Sequence, residues 1–198
     1  MLYIAPIVEG YGDVEAVPAL LHRIAVWAGL PGALQVNQPI RVKAASFLSN
    51  ETYFGNYVQL AAEKAAQQNG SVLILLDCED DCPGTLGPEI LNRARGVRSD
   101  VGVLVALAYR EYETWFIAGA ESLRGLRGLP SDLTRPTLFE AMRDAKGWLG
   151  RRMDESYDPV THQIEFTRAL DLDLACESHS FNRLCQRIRE LLEGTLEG

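Results

Sequence analysis

The chain is short of lysine, of long apolar runs and of cysteines in any metal-binding spacing. Lys43, Lys64 and Lys146 are its only lysines among 19 basic residues, set against 27 acidic ones for a formal charge of −8. A protein that grips nucleic acid unaided is usually basic, because neutralised phosphates supply most of the affinity. An acidic chain that acts on nucleic acid therefore needs a partner or a bound cation. No apolar stretch approaches the roughly 18 to 20 residues that span a bilayer. Met1-Leu2-Tyr3-Ile4 lacks the basic lead and cleavage site of a signal peptide. The expected compartment is the cytoplasm, with no membrane partner, and Cys78, Cys82, Cys176 and Cys185 fit it as reduced thiols. Their C-x3-C and C-x8-C spacings match no common zinc framework.

Several catalytic signatures are missing as well. There is no G-x4-G-K-[ST] phosphate loop, so the chain is not itself a P-loop ATPase, and no G-x-S-x-G elbow. Gly10-Tyr11-Gly12-Asp13-Val14-Glu15 nearly matches the dinucleotide fingerprint, but Glu15 stands where the third glycine allows close helix–strand packing. Metal chemistry is the stronger reading.

What is present is an ordinary globular composition, 47% hydrophobic and 23% charged over 198 residues, enough for one core. Leu2 to Val8 is an apolar run in which Pro6 sits badly for a central strand. Val17, Leu20, Leu21 and Ile24 recur at helical spacing, so Val14 to Trp27 reads as an amphipathic helix ended by Gly29 and Pro31. Val36 to Ala45 reads as extended. Phe54, Val58, Ala61 and Ala65 define a second helix with Asn50 as its N-cap. Val72 to Leu76 and Val101 to Ala108 are apolar at every position, as strands covered on both faces require, and Leu86 to Ala94 is a helix between them. Beyond Ala120 no apolar strand follows. Leu138, Met142, Ala145 and Leu149 outline a helix entered at Pro136, and Phe181 to Leu192 outline the last one.

The expected fold is therefore α/β, with a mainly parallel sheet of about four strands and a helical C-terminal third. It forms one domain over residues 1–198, with a sheet core at 1–119 and a helical annex at 120–198.

Three of the apolar strands end in acids: Glu9, then Asp77 with Glu79, Asp80 and Asp81, then Glu111 and Glu113. The C-terminal strand ends of an open parallel sheet share one edge, where ligands bind. Carboxylates gathered there cannot all stay ionised cheaply without a cation. Hard oxygen donors suit Mg²⁺ or Mn²⁺. Asp77 and Glu79 alternate around Cys78, so an extended backbone would point both the same way. Glu111 and Glu113 share that spacing, unless a helical turn splays them. Arg93, Arg95 and Arg98 follow the acidic loop and are candidate nucleic-acid contacts, or simply a solvated helix face. Trp115 and Phe116 are expected in the core. His162 and His179 have no assigned role.

Ile7-Val8-Glu9-Gly10 after a first strand, with Leu75-Leu76-Asp77-Cys78-Glu79 at a later strand end, resembles the TOPRIM pattern of a Glu followed by a D-x-D pair. That pattern occurs in topoisomerases, DnaG-type primases and OLD-family nucleases. A closer resemblance is to the TOPRIM-like bacterial family numbered 4276 among domains of unknown function. It is carried by Val8-Glu9-Gly10 with an acid-bearing helix start, by Arg110-Glu111-Tyr112-Glu113-Thr114-Trp115-Phe116, and by Ser178-His179-Ser180-Phe181. Glu79 departs from the D-x-D pair and reaches one carbon further. The resemblance implies Glu9 as the general acid or base and metal-facing residue, and Asp77 and Glu79 as metal ligands; the acids at the third strand end add Glu111 or Glu113 as an expected supporting ligand. It also implies an Mg²⁺- or Mn²⁺-dependent phosphodiester hydrolase working beside an ATPase partner in bacterial defence, binding nucleic acid weakly alone. The alternative is a non-catalytic scaffold that docks on such an ATPase.

Overall fold

The computed structural model describes residues 1–194. Its centre is a parallel sheet built from the apolar runs: β1 (Leu2–Val8), β2 (Leu34–Val36), β3 (Ile40–Arg41), β4 (Ser71–Asp77) and β5 (Gly102–Ala108). The order is β2-β1-β4-β5, with β3 pairing β1 beyond the end of β2, so five strands occupy four lanes. Residues 72–76 of β4 are all buried because the sheet is covered on both faces.

Pro6 is accommodated by the break between β2 and β3. β2 pairs with Leu2 to Ile4 and β3 with Ile7 and Val8. The Ile4 and Val8 carbonyls accept from Asn37 and Val42 on that side. In a parallel ladder alternate residues face the same neighbour, so Pro6 turns its missing N–H into the gap. The stretch read as extended from Val36 to Ala45 is thus only partly so. It is interrupted after Val36, and from Ala44 it becomes the helix α2 (Ala44–Ser49).

α1 (Asp13–Trp27) and α3 (Glu51–Ala66) form at the expected spacings. The Asn50 side chain accepts the Tyr53 N–H at 2.9 Å, capping α3, and Gly29 leaves α1 with φ at 79°. α4 (Pro83–Val97) is longer than the run Leu86 to Ala94, because Pro83 opens it in the first turn where a missing N–H costs nothing. α5 (Glu113–Ala118) follows β5 directly.

The C-terminal third is helical, as expected, but its first helix is not. Phe139–Ala141 make only a 3-10 turn. The Asp144 side chain then accepts the Gly147 N–H at 2.9 Å and starts α6 (Ala145–Gly150) afresh. A helix from Pro136 is prevented by that restart. α7 (Pro159–Ala169), α8 (Leu172–Ala175) and α9 (His179–Gly194) complete the described residues. They belong to the same apolar cluster as α1 and one face of β1 and β4, with Trp115, Phe116, Phe166 and Phe181 fully buried. The other sheet face packs against Phe47, Phe54, Val58 and Ile90. Among the described residues no helix is long and apolar enough to cross a membrane.

Candidate functional site

β1, β4 and β5 run parallel and end at one edge, and the residues that follow them line a cavity of about 310 Å³. Glu9, Asp13, Asp77, Glu79 and Glu113 all reach it, with Lys146 the one basic residue in its lining. The three acidic strand ends are thus brought together, and Glu111 lies on the adjoining side.

The backbone turns sharply at each tip. After β4, Cys78 donates to the Ala108 carbonyl and Glu79 donates to the Arg110 carbonyl, each at 3.0 Å. Glu79 and Arg110 both take a left-handed conformation, with φ at 45° and 68°. The extended backbone expected between Asp77 and Glu79 is therefore absent. Asp77 turns inward, where its Oδ1 accepts the Tyr112 N–H at 2.8 Å, while Glu79 stays exposed at the rim. Glu113 opens α5 and is 1% exposed. Its Oε1 accepts from the Tyr157 hydroxyl at 3.0 Å, and its Oε2 has no hydrogen-bond donor.

Contacts around Asp13 hold the entrance. Asp13, at the start of α1, accepts the Gly10 N–H at 2.7 Å and the Gln163 amide of α7 at 2.5 Å. Gly12 lets α7 approach: a Cβ there would strike the Gln163 side chain and the Pro159 carbonyl.

Lys146 is the counter-ion. Its Nζ lies 3.4 Å from Glu113 Oε2 and 3.8 Å from both Asp77 Oδ2 and Glu111 Oε2. Burial pushes the Asp77 carboxyl well above the usual range, and the nearby Glu113 adds to this. The same burial raises Glu113, with Lys146 pulling against it. Glu9 is raised by burial and by Asp13 and Glu79. For Lys146, burial opposes the charge, but Glu113, Asp77 and Glu111 outweigh it and hold the ammonium above its ordinary value. One cation serves several acids, so the cavity carries negative charge in excess.

The donors match a hard divalent cation in kind, and Glu113 Oε2, which has no hydrogen-bond donor, meets only the Lys146 ammonium at 3.4 Å. They are not closed into a cage: among the described residues no three His, Cys, Asp or Glu side chains are placed to hold one ion. Glu79 is exposed and Glu9 half-exposed at the rim of the cavity.

The arginines of α4 and its C-cap lie elsewhere. Arg95 lines the same trough as Ser71 and Gly102, at the opposite ends of β4 and β5 from the acids, some 20 Å away along seven-residue strands. Arg93 stacks on Phe54, bonds the Leu48 carbonyl and pairs with Glu51, and Arg98 pairs with Asp100. His162 is buried as a cap, accepting the Asp158 N–H at 2.8 Å, and His179 pairs with Glu140. Next to the cavity, Arg110 and Arg143 clamp Asp80 at 2.5 and 2.7 Å, which holds its carboxyl below the usual range. Sequence reading missed Asp13, Lys146, Tyr157 and Gln163 as site residues. Only Asp13 carried a signal, three residues past Gly10 at a helix start.

These features define an α/β protein with an acid-lined site at the C-terminal edge of a parallel sheet. The family model described as "Domain of unknown function (DUF4276)" matches residues 8–189, nearly the whole chain, and the chain belongs to that family. No curated protein and no solved structure matches it.

Proposed function

We propose that the chain is a TOPRIM-like, divalent-metal-dependent phosphodiester hydrolase acting on nucleic acid, with an ATPase as its partner. The observation that supports this most is the imbalance at the sheet edge: Glu9, Asp13, Asp77, Glu79 and Glu113 line one cavity with a single ammonium between them. A fold gains nothing from concentrating buried carboxylates unless something cationic joins them. Asp77, Glu79 and Glu113 would hold Mg²⁺ or Mn²⁺, with Glu111 in support. When bound, such an ion supplies positive charge to a phosphodiester and Lewis acidity for its hydrolysis. Glu9, half-exposed at the mouth with a raised pKa, is suited to exchange a proton with water or the leaving oxygen. Asp13 fixes the Gly10 loop that carries Glu9, and Lys146 holds the empty acids together.

A second reading is a non-catalytic scaffold for an ATPase. The seat of Lys146 among three carboxylates favours it, as does the charge of −8, which works against an autonomous grip on phosphates. The test is cleavage of single-stranded, duplex and supercoiled DNA with Mn²⁺ or Mg²⁺, with and without a partner ATPase. Hydrolysis lost in both Glu9→Gln and Asp77→Asn supports the enzyme. No cleavage by wild type with its partner, or undiminished cleavage by both variants, leaves the scaffold.

A further inference from the structure

The mouth of the acid cavity carries an aromatic ring that the fold leaves uncovered. Tyr11, two residues past Glu9 on the same loop, lines the cavity and is 67% exposed. An exposed ring alone means little. This one is held in place: the Arg41 guanidinium lies over it, 3.9 Å from the ring centre, and donates to the Tyr11 hydroxyl at 3.2 Å. One face of the ring is therefore taken and the other is open.

Arg41 ends β3, level with Val8 in the neighbouring lane about 5 Å away. It stands at the same sheet edge as the acids, beside the strand that delivers Glu9. Lys43, two residues on, is exposed. Among the described residues neither cation is paired with a carboxylate. By contrast, Arg110 and Arg143 are held by Asp80, and Lys146 by Asp77, Glu111 and Glu113. In so acidic a chain, two cations without carboxylate partners beside the cavity are the ones open to phosphates.

The aromatic surface continues past Arg41. Tyr57 of α3 lies within electrostatic reach of that guanidinium. Its ring stacks on Tyr53, with centres 4.5 Å apart, and both rings are only partly buried. Rings and cations thus succeed one another from the cavity mouth across β3 to α3. An exposed ring for a base, with a cation beside it for the phosphate, holds a strand without reading its sequence. A duplex cannot use it, because neighbouring pairs cover the faces of its bases.

We infer that Tyr11, Arg41 and Lys43 form a platform for an unpaired strand of nucleic acid, with a base on the open face of Tyr11 and phosphates on Arg41 and Lys43. The choice of nucleic acid rests on the proposed hydrolase reading, which the platform narrows to single strands and frayed ends. It positions the strand beside the acids and takes no part in breaking a bond.

The experiment is fluorescence anisotropy of labelled strands titrated with the full chain at low salt in millimolar Ca²⁺, run beside the cleavage assay. The probes are oligothymidylate, oligouridylate, an oligothymidylate carrying abasic sites and a blunt duplex, and circular dichroism checks that each variant is folded. Wild type should bind the intact single strands more tightly than the duplex or the abasic strand, and the tighter of the two sugars names the strand. Tyr11→Ala should weaken the intact strands about tenfold, the worth of one stacked base. Tyr11→Phe should bind much as wild type does, and the abasic strand should not tell these three proteins apart. Arg41→Gln and Lys43→Gln should weaken every single strand, each lowering the logarithmic salt slope by about 0.7. A wild type that binds no single strand or prefers duplex, a Tyr11→Ala variant that binds as wild type does, or an equal loss on the abasic strand overturns the platform. Binding with this signature by a chain that never cuts keeps the platform and removes the hydrolase reading. Cleavage that survives Tyr11→Ala and Arg41→Gln undiminished does the reverse.

Discussion

Lys146 Nζ stands 3.4 Å from Glu113 Oε2, the oxygen that has no hydrogen-bond donor of its own. One comes from α6 and the other from the first turn of α5, so this ion pair ties the helical third to the sheet edge. Lys146→Met should leave Asp77, Glu111 and Glu113 without their cation. Breaking a fully buried pair costs about 3–5 kcal/mol, but Lys146 is 42% exposed, and solvent screening brings the expectation to about 1–2 kcal/mol. A melting temperature several degrees lower in EDTA, partly recovered with millimolar Mn²⁺, is the expected result. An unchanged melting temperature would mean that the pair carries no net stability.

The pH dependence has a definite sign. Asp77, Glu113 and Glu9 have raised pKa values in the folded chain, so the native state holds protons more tightly than the unfolded one. Their contribution is greatest below the ordinary carboxylate range and is lost as pH rises toward the folded values. Asp80, Asp100, Asp144 and Asp158 are depressed, Asp100 to about 2, and their contribution is lost as pH falls below the ordinary aspartate value. In EDTA, thermal melts should show greater stability near pH 5 than near pH 7.5. Glu113→Gln should flatten that difference. Stability that instead climbs steadily to pH 7.5 in wild type contradicts the electrostatics of the cavity.

Gly12 sets how closely α7 approaches the Glu9 loop. Gly12→Ala forces its Cβ against Gln163 and the Pro159 carbonyl, and the Gln163 bond to Asp13 has to open. Overpacking of this kind costs about 1–3 kcal/mol. Thermal melts should register a clear drop, and any cleavage activity should fall with it. A variant as stable as wild type would show that α7 can withdraw freely.

Ser180 joins three elements: its Oγ accepts from Trp115 Nε1 at 2.9 Å and from the Tyr109 N–H at 3.2 Å. Ser180→Ala leaves the buried indole N–H without an acceptor, at a cost of about 1–3 kcal/mol. Chemical denaturation should show a lowered midpoint with an unchanged slope.

Ser180 also illustrates what the sequence could convey. Ser178-His179-Ser180-Phe181 stood out as a motif, but its partner Trp115 lies 65 positions away, and no local pattern joins them. Strand β4 was legible because burial on both faces demands an unbroken apolar run, and β5 carries a similar run although residues 102–106 are exposed or only partly buried. The acids at their tips were legible because parallel strands deliver their ends to one edge. Lys146 was not, since Ala145-Lys146-Gly147 carries no pattern that distinguishes a counter-ion from a solvated lysine. The left-handed turn at Glu79 also escaped notice, because it is fixed by hydrogen bonds to Arg110 and Ala108 across the sheet. The helix expected from Pro136 failed because Asp144 caps a new start, a local signal that the apolar spacing overrode.

Calorimetric titration of the metal-free chain with Mn²⁺ at neutral pH, for wild type, Asp77→Asn and Glu113→Gln, tests the acid cavity most directly. Binding by wild type, with proton release from the raised carboxyls and loss of the signal in both variants, is the expected result. No heat and no proton release from wild type, or titrations unaltered by either substitution, would contradict a metal site at the sheet edge.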